Sequence, residues 1–304
     1  MDALERDFYE ERRRTWRRSA FWRGFAVAAI LAIVVGALSF GDRLAARGDH
    51  VARFAIEGVI LDDARRDRLL REMAAADHVK ALIVQVNSPG GTTVGSEAVF
   101  DALRRVAAKK PVVAVMGEVA ASGGYVAAIA ADHVIARGST LTGSIGVILE
   151  YPDLTEVMAR WGVGLETVRS SDLKGEPSPF RPTPPAARAM EDALVADSYA
   201  WFRDLVAERR GLSGRALDAV ANGRVFTGRL AREADLIDAI GGEPEAVAWL
   251  ESRDAGLRGL PVRDWEVERE TGLLPSVLGA AGSTGGILNE ISRLVAPKLY
   301  SIAR

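Results

Sequence analysis

Two apolar runs, each followed by a turn and a stretch of helical periodicity, constrain the fold of this chain more than any other feature. Residues 79–86 read VKALIVQV and residues 111–116 read PVVAVM. Short runs that are rich in β-branched residues suit parallel strands buried on both faces of a sheet. The repeated alternation of strand and helix therefore predicts an α/β fold with right-handed crossovers.

The flanking sequence continues this alternation. Residues 51–60 are typical of another strand, and an aspartate behind them is placed to cap a helix. Thr183 and Pro184 suit the N-cap and the first turn of a long helix that ends at Gly211. Shorter helices are predicted over residues 95–108, 125–131, 215–221 and 243–253.

The chain begins with a basic segment that is followed by an uncharged one. Residues 1–20 are rich in arginine, and Gly24–Phe40 contains no charged residue. With the two aromatic residues that precede it, this run is just long enough to cross a hydrocarbon layer of ~30 Å. We therefore predict a single transmembrane signal anchor over residues 21–40. A cleaved signal peptide with its site at residues 37–39 is the alternative, although the apolar run is long for one.

The arginines before the anchor hold the amino terminus in the cytoplasm, so the rest of the chain is expected outside. We predict one α/β domain over residues 50–270 and a separate tail over residues 271–304. The tail is rich in Gly, Ala, Ser and Leu. We expect it to be flexible or amphipathic.

Composition removes several kinds of catalyst and partner. The chain has no cysteine, which excludes disulfides, thiolate metal sites and cysteine nucleophiles. Its three histidines, His50, His78 and His133, do not lie in loops typical of catalytic histidines. The 39 basic and 41 acidic residues argue against a nucleic-acid partner. The sequence has no dinucleotide or phosphate-loop motif, and we predict neither a cofactor nor a metal.

Glycine-containing turns follow both apolar strands, at residues 87–91 and 121–124. The carboxyl ends of strands are where α/β proteins gather their sites. Gly90 and Gly91 allow a close backbone approach and can point N–H groups into a cavity. The alternative is that both segments are simply tight turns.

Ser122 lies at the predicted junction of a strand and a helix, where free N–H groups favour negative charge. A serine there can attack a carbonyl group, and the N–H of Gly123, assisted by Gly90 or Gly91, can stabilise the oxyanion. The alternative is an N-cap serine, and position alone favours it.

A serine nucleophile needs a base, and lysine is the known substitute for histidine. Lys174 lies in a loop rich in proline and glycine, where Asp172 and Glu176 would keep its ammonium charged if they point at it. The hydroxyl of Ser144 is a candidate for holding the lysine amine. The alternatives are a surface lysine and a turn serine.

Four segments in this order resemble the signal peptide peptidase A family. They are Asn87-Ser88-Pro89-Gly90-Gly91, Ala121-Ser122-Gly123-Gly124-Tyr125, residues 142–147 (TGSIGV), and Leu173-Lys174 through Pro179-Phe180. The resemblance extends over about residues 51–249 and points to the short, single-repeat form of a membrane-anchored serine protease. It implies a Clp/crotonase-like fold of repeated β-β-α units.

The resemblance also implies a role for each candidate residue. Ser122 matches the nucleophile, Lys174 the general base and Ser144 the serine that positions the lysine. Gly90, Gly91 and Gly123 match the oxyanion hole.

The family degrades remnant signal peptides and similar apolar peptides. Its members form rings, here expected to have eight subunits, in which neighbours help to build each site. The implied location is the bacterial inner membrane, with the catalytic domain on the periplasmic side. The tail looks like a substrate, so we expect it to reach a neighbouring active site.

Two other functions fit the same fold class. A crotonase-like acyl-CoA enzyme uses similar pairs of glycine N–H groups, but the anchor and the set of Ser122 and Lys174 argue against it. A catalytically silent membrane scaffold is the other alternative, against which the intact Ser122, Ser144 and Lys174 argue.

Overall fold

The computed structural model describes Trp22, Ile30, residues 48–267 and residues 299–302, and its contacts divide the chain after Asp49. In the second part, strands and helices alternate as expected for an α/β protein. The helices are α1 (Ala64–Ala75), α2 (Thr93–Ala107), α3 (Gly123–Ile129), α4 (Thr155–Arg160), α5 (Pro185–Arg210), α6 (Gly214–Val220), α7 (Gly228–Glu233) and α8 (Glu243–Arg253). The strands are β1 (His50–Ile60), β2 (Val79–Thr92), β3 (Val112–Ala121), β4 (His133–Ala136), β5 (Leu141–Gly143), β6 (Ile148–Leu149), β7 (Val225–Thr227), β8 (Ala239–Ile240), β9 (Val262–Asp264) and β10 (Leu299–Ile302).

The sheet is built on parallel pairs, β1 with β2, β2 with β3 and β3 with β4. The two central strands change partners part-way along. The register of β2 with β3 ends at Ser88, and β10 then pairs antiparallel with residues 90–92 of β2. Strand β3 pairs with β4 up to Met116 and with β5 from Val119 onward. The sheet therefore splits at one level, where both central strands approach their carboxyl ends.

The central strands are buried on both faces, as their apolar sequences predict. On one face, Leu82 and Val84 of β2 pack in a core with Leu103 of α2 and Phe202 of α5. On the other face, Ile83 packs in a second cluster that includes residues of α8. Alternate residues of one strand thus enter two cores, which fixes the strand register because a shift by one residue would exchange the faces.

The helix boundaries follow capping rules with one correction. Helix α1 begins after Asp63, whose carboxylate accepts hydrogen bonds from two backbone N–H groups. The long helix α5 ends at Gly211, which adopts φ +66° as the C-cap. Its N-cap is Pro184 rather than the predicted Thr183. Pro184 keeps extended backbone, and a second proline then takes the first helical position, where no N–H is required.

The predicted turn at residues 87–91 is wrong, because β2 continues through it. The predicted turn at residues 121–124 is confined to Ser122, between the end of β3 and the start of α3. Strand β2 reaches Thr92 and β3 reaches Ala121. Register shifts at these levels let the strands accommodate glycine and proline and pair onward with new neighbours.

The predicted anchor and most of the predicted tail lie outside the described residues. Among the residues that are described, no helix is both long and apolar enough to cross a bilayer. Four residues of the tail, 299–302, form β10 and pair with β2 and β6.

A tyrosine at the centre of the fold provides a test of its packing. Tyr125 is fully buried, and its hydroxyl donates a hydrogen bond of 2.8 Å to the carbonyl oxygen of Leu236. We expect Tyr125→Phe to lower the free energy of unfolding by about 1–3 kcal/mol, because the carbonyl loses its buried partner. Urea unfolding should show a lower midpoint with an unchanged slope, and an unchanged midpoint would contradict the role of this bond.

Candidate active site

Ser122 occupies the turn between β3 and α3 in a backbone conformation that is unusual for a serine. Its φ is +55° and its ψ is −119°. A non-glycine residue in such a region carries strain of about 1–3 kcal/mol, which persists mostly where function requires it. The side chain makes no capping hydrogen bond to α3, although Ser122 stands at the N-cap position. The capping alternative raised by the sequence is therefore wrong.

The glycines around Ser122 allow two backbone segments to pack directly on each other. A Cβ atom on Gly123 would lie 2.2 Å from Ser96 Oγ and 3.1 Å from the backbone nitrogen of Gly91. A Cβ atom on Gly124 would lie 2.5 Å from the carbonyl oxygen of Ser88. The end of β2 therefore packs against the first turn of α3, and the candidate oxyanion-hole glycines lie beside the candidate nucleophile.

The backbone N–H of Gly90, one of the candidate donors in β2, already has a hydrogen-bond partner. The N–H of Gly90 donates to Ser88 Oγ over 3.1 Å, and Gly90 has φ +116°. The Ser88 hydroxyl is fully buried and lies 3.3 Å from the carbonyl oxygen of Gly90. In the sequence, Ser88 is only one residue of a motif. Nothing in the sequence indicated that its side chain accepts a hydrogen bond from the backbone of Gly90.

Ser144 is brought next to Ser122 by the pairing of their strands. The backbone N–H of Ser122 donates to the carbonyl oxygen of Gly143 over 2.8 Å. Ser144 follows directly, with φ +51°, and its N–H donates to the carbonyl oxygen of Arg224. Both serines are buried. Two non-glycine residues in the left-handed region thus lie side by side at the split in the sheet.

Lys174 lies elsewhere, in an exposed turn over residues 171–175. Its backbone N–H donates to the carbonyl oxygen of Ser171. The two acidic neighbours that the sequence raised as possible partners behave differently. Asp172 contributes its backbone carbonyl oxygen, which accepts a hydrogen bond of 2.8 Å from Arg169. Glu176 accepts hydrogen bonds from two arginines.

A charged cluster formed by Arg169, Glu176 and Arg181 fixes this turn. Glu176 Oε1 lies 2.6 Å from Arg169 Nη1 and 2.9 Å from Arg181 Nη2, and the glutamate side chain is fully buried. The hydrogen bond from Arg169, followed by that from Arg181, holds the pKa of Glu176 below its ordinary value. The glutamate is therefore ionised and committed to the arginines. The sequence alone did not reveal this cluster, because its members are 5–12 residues apart in an irregular segment.

In residues 48–267, no group of three or more histidine, aspartate and glutamate side chains is arranged to hold an ion. The chemistry available at the split is that of a serine hydroxyl with nearby backbone N–H groups.

Comparison with known proteins agrees with this chemistry. Residues 104–258, half of the chain, match the model of peptidase family S49. The chain belongs to peptidase family S49. A second model, that of Clp protease, matches residues 60–140 and supports the Clp-protease type of the α/β fold.

Individual relatives give the same assignment. The chain is 35% identical over 201 residues to "Putative protease slr0021" of Synechocystis sp., a match covering 66% of this chain and 72% of the relative. It is 34% identical over 218 residues to "Serine protease SPPA, chloroplastic" of Arabidopsis thaliana, covering 71% of this chain and 32% of that protein. It is 28% identical over 219 residues to "Putative signal peptide peptidase SppA" of Enterococcus faecium, covering 66% and 63%.

These matches confirm the resemblance to the signal peptide peptidase A family. As a member of family S49, the chain is a peptidase of a serine-type family. The roles of the individual residues remain predictions.

The contact between glycines predicts a sharp loss of activity on a minimal substitution. In Gly123→Ala, the new methyl group would collide with Ser96 Oγ and press on the backbone of Gly91. Removing one oxyanion donor costs about 10²–10³-fold in kcat, and we expect a loss of that size in peptide hydrolysis. Gly164→Ala, whose methyl group would meet no atom within 4 Å, is the matched control. Full activity in Gly123→Ala would contradict the arrangement.

Proposed function

We propose that this protein is a membrane-anchored endopeptidase that uses Ser122 and Lys174 to degrade remnant signal peptides and similar apolar peptides. The observation that carries the proposal is the conformation of Ser122. A serine that is held at positive φ, does not cap its helix and lies beside a glycine pair is suited to nucleophilic attack. Membership of family S49 supports the same chemistry.

In the proposed reaction, Ser122 Oγ attacks the carbonyl carbon of the scissile peptide bond while its proton passes to the neutral amine of Lys174. The N–H groups of Gly123 and Gly91 stabilise the oxyanion that forms. The C–N bond then breaks, and the lysine returns the proton to the leaving amine. Water hydrolyses the acyl-enzyme with the lysine as base, which restores the serine. Ser144 acts as the positioning residue for the lysine amine.

The strand over residues 299–302 supports the proposal that substrates bind in an extended form. Strand β10 pairs antiparallel with β2, with Ser301 opposite Gly91 and Ile302 opposite Gly90, and also with β6. Strand β10 occupies the space between residues 90–92 of β2 and β6, which we name the peptide lane, and a substrate would take the place of β10 there. Antiparallel pairing at such an edge is a common mode of peptide recognition, because backbone groups provide the hydrogen bonds.

The exposed position of Lys174 supports a site shared between subunits. A lysine base must be desolvated in order to be neutral near pH 7. An exposed turn becomes desolvated when a second copy of the chain covers it. We propose that neighbouring subunits of a ring, eight in number by family resemblance, complete each site in this way.

The membrane assignments are part of the same proposal. The anchor over residues 21–40 would hold the protein in the bacterial inner membrane, with the peptidase domain on the periplasmic side. Residues 271–304, of which 299–302 pair with β2 and β6 of the same chain, would leave that pairing to reach a neighbouring site and be trimmed there. Intact-mass comparison of the C-terminus in wild type and Ser122→Ala tests the trimming, and identical ends would exclude it.

The dyad itself predicts the effect of two substitutions. Ser122→Ala and Lys174→Ala should each lower kcat for an apolar signal-peptide substrate by about 10⁴-fold or more, because nucleophile and base act as one unit. Ser144→Ala should cause a smaller loss. Lys109→Ala, which changes an exposed lysine beyond α2, is the matched control. Hydrolysis of an internally quenched peptide measures all four, and retained turnover in either dyad variant would refute the assignment.

The charged cluster beside Lys174 predicts a second, separable effect. Glu176→Gln preserves the shape of the side chain but leaves Arg169 and Arg181 without their anion, so the turn that carries Lys174 should shift. A displacement of about 1 Å can cost on the order of 10²-fold in rate, and we expect kcat to fall by that order while KM changes little. Asp172→Asn, on the same turn, should retain wild-type kinetics because Asp172 contributes its backbone carbonyl. Equal kinetics in both variants would contradict this role.

A further inference from the structure

A cavity of about 620 Å³ lies next to the candidate active site. One wall is formed by residues 144–149, which begin at Ser144 and include β6, and the facing wall by α5. Residues 221–225 close a third side. The volume falls within the range of about 300–1,000 Å³ that is typical of ligand sites. The mechanism proposed above uses Ser144 at the edge of this cavity and gives no role to the rest of it.

The walls of the cavity are mostly apolar, but a buried carboxylate also lines it. Ile145, Val147, Leu149 and Val195 supply aliphatic surface. Glu191 of α5 is only 3% exposed, and neither of its oxygens accepts a hydrogen bond of good geometry within the described residues. A carboxylate in such surroundings is costly unless a cation or hydrogen-bond donors compensate it.

Two groups of this chain, Arg188 and Tyr151, interact with Glu191 and compensate its charge only in part. Arg188 Nη1 lies 3.3 Å from Glu191 Oε2, but the arginine side chain is 61% exposed and lies one turn away on the same helix. Because this guanidinium, which also lines the cavity, is mostly exposed to solvent while the carboxylate is buried, the pair compensates the buried charge only in part. The Tyr151 hydroxyl, 3.1 Å from Thr183 Oγ1, lies on the facing segment, and burial together with the carboxylate raises the pKa of Tyr151. The carboxylate therefore retains capacity for a further cationic donor.

The peptide lane passes this cavity. Ile148 and Leu149 of β6 both line the cavity and pair with β10, whose other edge runs along residues 90–92 of β2. Successive side chains of an extended strand point to opposite sides. A peptide held in the lane can therefore extend a side chain toward α5 while its backbone stays beside the glycines.

We propose that the cavity is a subsite for one lysine or arginine side chain of the bound peptide. The aliphatic stem would pack on the apolar walls, and the charged head would bind the Glu191 carboxylate. The inference rests on the proposed function and narrows its substrate class to apolar peptides that carry a basic residue near the cleaved bond. Signal peptides have this composition, since a basic region precedes their apolar core.

Binding to the full-length Ser122→Ala protein in detergent tests the subsite without turnover. The probes are fluorescent peptides of alanine and leucine in which one position, moved along the peptide, is lysine, norleucine or Nε-acetyl-lysine. At one position, lysine should bind at least about tenfold more tightly than either neutral analogue, as expected for a charge-assisted hydrogen bond. Equal affinities at every position would overturn the proposal, and this comparison requires no change to Glu191.

Substitution then assigns the preference to the carboxylate. Glu191→Gln in the Ser122→Ala background should bring the ratio of lysine to norleucine affinity close to one. Asp197→Asn removes the same charge from an exposed position on the same helix and should preserve the ratio. A preserved ratio in Glu191→Gln would overturn the assignment. A different pair of results would also overturn it: no preference for lysine in the parent protein, together with loss of the oligomeric state of Glu191→Gln in light scattering. The cavity would then bind a cationic side chain of a second copy of the chain.

Failure of the subsite and failure of the peptidase proposal give different results. Preferential binding of lysine peptides without any cleavage by the wild type would overturn the proposed function alone. Cleavage that depends on Ser122 but shows no preference for a basic residue at any position would overturn the subsite alone.

Discussion

The site depends on a direct packing of backbone on backbone between the end of β2 and the first turn of α3. A methyl group on Gly124 would collide with the carbonyl oxygen of Ser88, and one on Gly123 would collide with Ser96 Oγ and press on the backbone of Gly91. This contact brings Gly91 beside the helix turn that follows Ser122, and it occurs at the level where β2 and β3 change partners. The split of the sheet makes room for β10, so the same contact places the candidate nucleophile beside the strand edge at which we propose that peptides bind.

The sequence predicted the elements whose signals are local. The apolar strands, the end of α5 at Gly211 and the bounds of α8 follow from periodicity and capping, and the structure has them. The sequence-based prediction ended β2 and β3 too early, because glycine and proline in a local sequence favour turns. Here β10 and β5 offer those segments new pairing partners, and such long-range pairing is invisible in a local pattern.

The candidate site was predictable in composition but not in geometry. Serine, lysine and glycine motifs in one order sufficed to find the family. The position of Ser122 in the sequence favoured an N-cap role over a nucleophilic one. Its dihedral angles and the absence of a side-chain capping hydrogen bond, which only the structure gives, argue against the N-cap role. Likewise, Glu176 was a candidate partner of Lys174 until the structure placed it between Arg169 and Arg181, which lie 7 and 5 residues away from it along an irregular segment.

At Ser122, the strained backbone lowers the stability of the fold, whereas the side chain provides the hydroxyl that the proposed mechanism needs. Glycine adopts positive φ without the Cβ penalty, so Ser122→Gly would relieve the turn while deleting the hydroxyl. In the proposed mechanism, the substitution that relieves this strain also removes the group that attacks the carbonyl carbon. Selection of this protein for heat resistance alone would favour glycine at this position and, on the proposed mechanism, would yield an inert scaffold.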